Sequence, residues 1–293
     1  MMKIAYVYPG QGAQFIGMGQ DLYEQNETAK SIFEEANEIL GFRITDIMFN
    51  GSEEDLKQTS VTQPAIFLHS IVRTSVVSPF EAAMTAGHSL GEFSALVAAK
   101  VLNWKDGLRL VATRASAMQK ACENQAGTMA AIIGLENHVI EHVCREIDGV
   151  VVPANYNTNG QLVISGEIEA IEQACVKLTE LGAKRALKLN VGGAFHSPLM
   201  ESAAKELKIA IEKTDFKDAQ IEIYQNVSAK PQKNSEVLKD NLLAQLTGPV
   251  KWAQSIQNMI ENGGNKFYEI GPGRALQGMI KKIDRSIQTE GLS

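Results

Sequence analysis

Apolar residues along the chain alternate between short β-rich runs and longer stretches with helical spacing. The first run, "KIAYVY", is stopped by Pro9 and Gly10 and predicts a buried strand that ends in a tight loop. Helical periodicity then extends from Leu22 to Leu40, and Gly41 is its predicted stop. A second helix is predicted for "TQPAIFLHSIVRTSVV", where Pro64 is tolerated only near the first turn.

The same alternation continues through the next segment. "AAMTAG" predicts a short strand, "SLGEFSALVAAKVL" predicts a helix, and a further helix is expected from Trp104 to Cys122. Strands that alternate with helices imply a mostly parallel sheet, so the fold class is predicted to be α/β.

The order of predicted strands and helices changes over residues 127–191. Here "TMAAIIGL" predicts a strand, 136–147 a helix, "GVVVPANY" and "GQLVISG" two strands, 168–181 a helix and "AKRALKLNV" a last strand. This β-α-β-β-α-β order is that of a ferredoxin-like unit. We therefore predict a ferredoxin-like α+β subdomain at 127–191, inserted into an α/β core formed by 1–126 and 192–293.

Composition narrows the classes of protein. The 293 residues carry a formal net charge of −6, which argues against a general nucleic-acid binder. The three cysteines are widely spaced and odd in number, so neither a disulfide framework nor a zinc ribbon is expected. No signal peptide and no stretch long enough to span a bilayer is found, so a cytoplasmic location is expected. The last dozen residues are polar and capless and are predicted to fray.

The stretch "AGHSLGE" allows two interpretations. Ser89 and Glu92 have the S-x-x-E spacing of a capping box, in which the serine oxygen accepts from an early helix N–H. The same letters, from Gly87 to Gly91, read G-x-S-x-G, a sharp strand-to-helix turn that presents a serine nucleophile. These letters alone leave both interpretations open.

A serine nucleophile needs a base, which is usually a histidine. His138 and His142 share a helix face, but without a third ligand a solvated surface is favoured over a zinc site. His88 is adjacent to Ser89 and is expected to brace the turn. His196, in "GGAFHSPLM", follows a strand and lies in a loop where α/β sheets build sites. A histidine whose ring is satisfied by backbone is the alternative there.

Four other segments are ambiguous when each is taken alone. "PGQGAQ" follows a strand, and Gln11 between glycines can offer its N–H to an oxyanion or be an exposed turn residue. Arg114 lies in the largely apolar helix segment "LVATRASAM", where a buried guanidinium should pair with a protein carboxylate or with a ligand. Gln245 in "LLAQLTGPVKW" and the pair Asn155 and Asn157 in "PANYNTNGQ" can bind a ligand or satisfy a loop.

Taken together and in order, these motifs resemble those of malonyl-CoA:acyl carrier protein transacylases and of the acyltransferase domains of fatty-acid and polyketide synthases. The resemblance covers essentially the whole chain. It is carried by "PGQGAQ", "GHSLGE", "TRASAMQ", "PANYNTNGQLVISG", "AFHSPLM", "QLTGPVKW" and "YEIGPGRAL". The fold it implies is an α/β-hydrolase-like core with a parallel sheet and the ferredoxin-like insert, with the site between them.

The resemblance also implies a role for each matching residue. Ser89 is expected to carry the acyl group, with a possible second role as helix cap, and His196 to act as its general base. The N–H groups of Gln11 and Leu90 form the oxyanion hole. The implied substrate-binding residues are Arg114, for the malonyl carboxylate, together with Gln245, Phe195, Asn155 and Asn157. Gln245 is expected to orient the imidazole through its backbone carbonyl, and Phe195 to favour malonyl over methylmalonyl.

The implied partners are malonyl-CoA and an acyl carrier protein, with no metal, cofactor, nucleic acid or membrane. An acidic carrier needs a local basic patch on this acidic chain. The candidate docking residues are Lys281, Lys282 and Arg285 in one cluster and Lys184, Arg185 and Lys188 in another; solvated faces are the alternative. A freestanding, monomeric enzyme of fatty-acid synthesis is expected. The alternatives are a trans-acting acyltransferase of a polyketide pathway, a thioesterase with the same serine turn, and a non-catalytic scaffold.

Overall fold

Two β-sheets organise residues 3–292, the part of the chain that the computed structural model describes. Their strands are β1 (Lys3–Tyr8), β2 (Met84–Gly87), β3 (Thr128–Ile133), β4 (Val151–Thr158), β5 (Gln161–Gly166), β6 (Arg185–Lys188), β7 (Glu222–Tyr224), β8 (Pro231–Gln232), β9 (Gly264–Ile270) and β10 (Gln288–Leu292). The first sheet has the order β10-β9-β1-β2-β7-β8 and is parallel except for β8 at its edge. The second has the order β4-β5-β3-β6 and is antiparallel. The predicted α/β class with a parallel sheet and a separate antiparallel one is confirmed.

Helices cover both faces of the parallel sheet. They are α1 (Gln20–Gln25), α2 (Glu27–Leu40), α3 (Ile44–Asn50), α4 (Glu53–Lys57), α5 (Thr59–Val76), α6 (Gly91–Ala98), α7 (Trp104–Asn124), α8 (Asn137–Glu146), α9 (Ile168–Glu180), α10 (Glu201–Glu212), α11 (Ser235–Gln245), α12 (Trp252–Glu261) and α13 (Ala275–Ile283), with a 3₁₀ turn at Pro198–Met200. Alternate side chains of β1 point to opposite faces. Ala5 and Val7 pack with α12 and α13, whereas Tyr6 and Tyr8 pack with α6.

The antiparallel sheet has a core of its own. One of its faces packs on α8 and α9, through residues that include Ile132, Ile140, Leu162 and Ile171. Its other face joins the large core built around α2, α5, α7 and α10. All four strands and both helices of this unit lie within 127–191, the predicted insert. The division of the chain into a core and an insert stays a prediction.

Strand β4 also bonds to the loop between α11 and α12. The Tyr156 N–H donates to the Val250 carbonyl at 2.9 Å, and the Val250 N–H donates to the Ala154 carbonyl at 2.8 Å. Because Val250 follows α11 closely, β4 fixes the segment that leads away from Gln245. Strand β4 therefore helps to define the position of Gln245, a predicted site residue.

The expectation of one helix from Leu22 to Leu40 is wrong. Asn26 ends α1 in an extended conformation, with a φ of −136°, and begins α2 by accepting the Ala29 N–H on its side chain at 3.0 Å. An asparagine that captures a backbone N–H in this way competes with helix continuation. Helix α5 also starts earlier than expected, at Thr59, so Pro64 lies in its second turn. Nearly continuous burial of α5 offsets the missing backbone hydrogen bond.

The predicted fraying of the last dozen residues is wrong for the described part of that segment, and Ser293 lies outside the described residues. Residues Gln288–Leu292 form β10, which pairs in parallel with β9 over its full length. The Gly271 N–H further donates to the Leu292 carbonyl at 3.1 Å. Within residues 3–292, no helix is both long and apolar enough to span a membrane.

Candidate active site

Ser89 occupies a sharp turn between β2 and α6. Its φ of +51° places it in the left-handed region, which is uncommon for a residue with a side chain. The flanking glycines make the turn possible, since a Cβ on Gly87 would overlap the backbone of Gly91, and one on Gly91 would overlap the Tyr8 carbonyl. The turn therefore holds the Ser89 hydroxyl at the carboxyl end of the parallel sheet, as the G-x-S-x-G interpretation predicts.

The capping-box interpretation of the same residues is wrong. Helix α6 has no side-chain cap, and the Ser89 hydroxyl is engaged elsewhere. Glu92 is fully buried, and its carboxylate accepts from the Asn226 N–H at 2.6 Å and from Gln225 Nε2 at 3.2 Å. Burial raises the pKa of Glu92 to about 7 despite these donors. The Glu92 carboxylate thus binds the loop after β7, through Gln225 and Asn226, and does not reach back to the turn at Ser89.

His196 lies against the Ser89 hydroxyl. Its Nε2 is 2.7 Å from Ser89 Oγ, and its Nδ1 lies 2.9 Å from the Gln245 carbonyl and 3.2 Å from that of Gly248. Because carbonyls only accept, Nδ1 carries the ring proton, and Nε2 is left to accept the serine proton. Burial, and then the charge of Arg114, lowers the pKa of His196 to about 3. The imidazole is therefore neutral and suited to act as a base.

Arg114 is 1% exposed and projects from α7 to the same point. Its guanidinium donates to Gln63 Oε1 at 2.6 Å, to Gln245 Oε1 at 3.2 Å and to Ser89 Oγ at 3.1 Å. Within residues 3–292 it forms no salt bridge. Burial lowers its pKa to about 10, so it stays protonated at neutral pH. A desolvated cation with only neutral partners is a receptor for an anionic group.

A cavity of about 640 Å³ opens over these residues. Gln11 and Leu90 both line it, and neither backbone N–H donates a hydrogen bond within the described part of the chain. Gln11 follows β1 and Leu90 follows the turn after β2, so the two N–H groups belong to neighbouring parallel strands. Two free donors beside the nucleophile are what an oxyanion hole requires.

Strand β4 and the loop after β6 also contribute to the cavity wall. Asn155, Asn157 and Phe195 line the cavity and are nearly buried. Asn157 Oδ1 is 2.9 Å from His88 Nε2, so His88, which also lines the cavity, ties the turn to β4. Asn155 Oδ1 is buried and has no partner among the described residues. Such a polar atom on a cavity wall is free to bind a ligand.

The two basic clusters differ in their relation to the cavity: the one on α13 follows a residue that lines it, whereas Lys184 and Arg185 pair with Ile133 at the far end of β6. Lys281 and Lys282 are exposed on α13, whose Met279 lines the cavity. Lys184 and Arg185 are exposed at the start of β6, and the chain that leaves β6 lines the cavity through Leu189–Gly192. The remaining cluster members, Arg285 and Lys188, are exposed as well, and Lys188 pairs with Glu172 at 2.8 Å.

Other predicted alternatives stay outside this site. His138 and His142 are exposed, and His142 lies 3.1 Å from Glu146. Among residues 3–292 no group of three histidine, cysteine or acidic side chains is arranged to hold a metal ion.

Two residues at this site, Gln63 and Asn226, did not emerge from the sequence, and Glu92 emerged with a different role. Gln63 holds the Arg114 guanidinium, Asn226 contacts the Gly87 carbonyl and the Ser89 N–H, and Glu92 accepts from the Asn226 N–H. Asn226 lies in an ordinary polar stretch, "YQNVSA", and no local pattern distinguishes it. Only its position directly after β7, which pairs with β2, brings it to the turn.

Comparison with known proteins identifies the family. The acyl transferase domain family matches residues 5–290. The chain belongs to this family. The acyl transferase domain here is 42% identical to the malonyl CoA-acyl carrier protein transacylase of Bacillus subtilis, over 100% of this chain and 94% of that protein. It is 40% identical to the transacylase of that name from Staphylococcus aureus, over 98% and 94% of the two chains.

Solved structures agree with this acyl transferase assignment. The malonyl CoA-acyl carrier protein transacylase of Coxiella burnetii superposes with a TM-score of 0.96 at 34% identity, covering 99% of this chain and 94% of that one. A malonyl-transacylase in complex with its type II PKS acyl-carrier protein superposes with a TM-score of 0.95 at 38% identity, covering 99% and 95%. The similarity therefore extends over nearly the whole chain, including both sheets.

Proposed function

We propose that this chain transfers a malonyl group from malonyl-CoA to the phosphopantetheine thiol of an acyl carrier protein, through an ester on Ser89. The relatives that share 40% and 42% of its residues carry this activity in their names. The single observation that supports it most is the contact of Ser89 Oγ with both a neutral imidazole and an arginine that has no acidic partner among residues 3–292.

In the first half-reaction Ser89 Oγ attacks the thioester carbon while its proton passes to His196 Nε2. An oxygen–carbon bond forms, the carbon–sulfur bond then breaks, and the imidazolium returns the proton to the CoA sulfur. The carbonyls of Gln245 and Gly248 hold the Nδ1 proton and stabilise the imidazolium. In the second half-reaction the thiol of the carrier attacks the ester by the same steps in reverse. Neither half needs a metal or a cofactor.

The N–H groups of Gln11 and Leu90 would receive the negative oxygen of each tetrahedral intermediate. Each such donor is worth about 3 kcal/mol in comparable sites. Arg114 would bind the free carboxylate of the malonyl group, since its present partners, Gln63 and Gln245, offer only neutral oxygens. Phe195 at the cavity wall would disfavour a methyl branch at the substrate α-carbon. Asn155 and Asn157 would bind the arm of the substrate.

The basic cluster on α13 would dock the acidic carrier, so that its phosphopantetheine arm enters over Met279, which lines the cavity. The cluster at the start of β6 is the second candidate for the docking surface. The carrier is proposed to be that of fatty-acid synthesis, and the second candidate is a polyketide carrier. This second candidate is favoured by the structural neighbour that is in complex with a type II PKS acyl-carrier protein.

Intact mass spectrometry tests the proposal directly. Incubation with malonyl-CoA should add one malonyl group to the wild-type chain and none to Ser89→Ala, and a phosphopantetheinylated carrier should then remove it as malonyl-carrier. Ser94→Ala, which changes a fully buried serine of α6, is the matched control. When methylmalonyl-CoA competes with malonyl-CoA, the smaller amount of acyl-enzyme should carry the methylmalonyl group. Release of free malonate in place of malonyl-carrier would identify a thioesterase, and an unmodified wild-type chain would refute the acyltransferase.

A further inference from the structure

The backbone around Ser89 is held by an amide side chain that lies outside the cavity. Asn226 Nδ2 donates to the Gly87 carbonyl at 2.6 Å, and Asn226 Oδ1 accepts from the Ser89 N–H at 2.8 Å. The two contacts bracket His88 and clamp the ends of the turn against one planar group. Asn226 does not line the cavity and is fully buried, so it has no route to the substrate.

This clamp decides which backbone N–H groups remain available. The Ser89 N–H is occupied by Asn226, whereas the next N–H along the chain, that of Leu90, donates to no group in the described part of the chain. The Ser89 carbonyl is occupied as well, by Gln245 Nε2 at 3.0 Å. With both groups of Ser89 fixed, rotation of the turn is blocked, and the Leu90 N–H stays directed at the cavity.

Asn226 is itself anchored at both of its backbone groups. Its N–H donates to the buried Glu92 carboxylate at 2.6 Å, and its carbonyl accepts from the Lys251 N–H at 2.9 Å. Glu92 is on the first turn of α6, three residues after Ser89, so helix, loop and turn form a closed ring of hydrogen bonds. A side chain anchored in this way holds the geometry of its partners closely.

We infer that Asn226 is a positioning residue for acyl transfer: by clamping the Gly87 carbonyl and the Ser89 N–H it aligns the Ser89 hydroxyl with His196 and directs the Leu90 N–H towards the oxyanion. This inference rests on the proposed function. Misalignment of a reacting group by about 1 Å can cost about 100-fold in rate. The clamp reaches Arg114 only through a long contact of Gln245 Nε2 with Asn226 Oδ1, at 3.4 Å, whereas Gln63 holds the guanidinium directly at 2.6 Å. We therefore expect the affinity for substrate to change much less than the rate when the clamp is removed.

Two variants test the clamp. Asn226→Ala removes both contacts and should slow malonylation of Ser89 by about 100-fold. Asn226→Asp is more discriminating. When its carboxyl is protonated, one oxygen donates to Gly87 and the other accepts from Ser89, as the amide does; when it is ionised, it repels the Gly87 carbonyl. The malonylation rate of Asn226→Asp relative to wild type should therefore rise by at least about tenfold from pH 8 to pH 5, a range in which a buried acid titrates.

The controls separate positioning from folding and from binding. Asn258→Ala removes a comparable part-buried contact, from Asn258 Nδ2 to the Ala229 carbonyl at 2.7 Å, and should leave the rate unchanged. The dissociation constant of malonyl-CoA, measured with Ser89→Ala and with Ser89→Ala/Asn226→Ala, should differ by less than about threefold.

Three results would overturn the inference. They are a folded Asn226→Ala that malonylates within about threefold of wild type, a loss of malonyl-CoA affinity equal to the loss of rate, and a flat relative pH profile for Asn226→Asp. If Asn226→Ala does not fold, the profile of Asn226→Asp decides alone. A wild-type chain that takes up no malonyl group would refute the proposed function and not the clamp.

Discussion

Replacing Arg114 with alanine should abolish the preference for malonyl over acetyl. The guanidinium is 1% exposed and its partners among residues 3–292 are Gln63, Gln245 and Ser89, none of which carries a charge. A malonyl carboxylate would complete a buried ion pair, and removal of one member of such a pair costs about 3–5 kcal/mol. Since about 1.4 kcal/mol is a factor of ten, kcat/KM for malonyl-CoA should fall by roughly 140- to 4000-fold.

Acetyl-CoA provides the internal reference. Arg114 also donates to Ser89 Oγ, so the substitution disturbs the nucleophile for both substrates. That shared loss cancels in the ratio of the two specificity constants, and the ratio isolates the carboxylate. We expect the malonyl-to-acetyl ratio to fall by at least about 100-fold, because acetyl has no charge to lose.

The assay is competition between malonyl-CoA and acetyl-CoA, read as the two masses on Ser89. Arg109→Ala is the matched control, since Arg109 is on the same helix but is exposed and pairs with Asp106 at 3.0 Å. Its ratio should equal that of wild type. A folded Arg114→Ala that still prefers malonyl by the wild-type factor would show that another group reads the carboxylate.

Two further predictions concern the protonation of His196 and the lysines on α13. His196 is active when neutral, and its pKa of about 3 lies below the ordinary 6.5. From pH 7 to pH 5 kcat/KM should therefore stay level, whereas the neutral fraction of an ordinary histidine would fall from about 76% to about 3%; the rate should fall only as the pH drops towards the lowered pKa. A roughly 25-fold loss at pH 5 in a chain that remains folded would contradict this, and Arg114→Ala should move the acid limb to higher pH, since the Arg114 charge is one cause of the shift. Reversing Lys281 and Lys282 to glutamate should raise KM for the carrier and spare KM for malonyl-CoA, whereas reversing Lys213 and Lys239 should change neither; equal effects of the first pair on both substrates would reject the docking surface.

Most of the fold could be predicted because the local spacing of apolar and polar residues indicates most of its strands and helices. The run "KIAYVY" and the helix from Trp104 were placed almost to the residue. Strand β10 was missed because "QTEGL" has neither alternation nor β-branched enrichment; pairing with β9 alone makes it a strand. Asn26 was missed because its capping role appears only when its side chain is seen to capture the Ala29 N–H.

The site residues also divide into those that a local motif indicates and those that only tertiary packing brings to the site. Ser89, His196, Arg114 and Gln11 lie in short motifs that carry their own signal, and the structure brings all four to one cavity. Gln63 and Asn226 reach their partners across 51 and 137 residues of sequence, so their roles depend on tertiary packing. Glu92 was assigned to the wrong partner because the capping-box spacing is short-range, whereas its buried carboxylate is used at long range.

The two residues proposed to react share an unusual backbone. Ser89 has a φ of +51° and His196 a φ of +57°, and neither is glycine. A left-handed residue with a side chain costs roughly 1–2 kcal/mol. The backbone is therefore strained at both of these positions, and favourable packing elsewhere in the domain compensates for the cost. Substitutions that relieve the strain at these two positions are expected to stabilise the fold and to cost activity. A serine and a histidine are therefore retained there for their reactivity and not for folding.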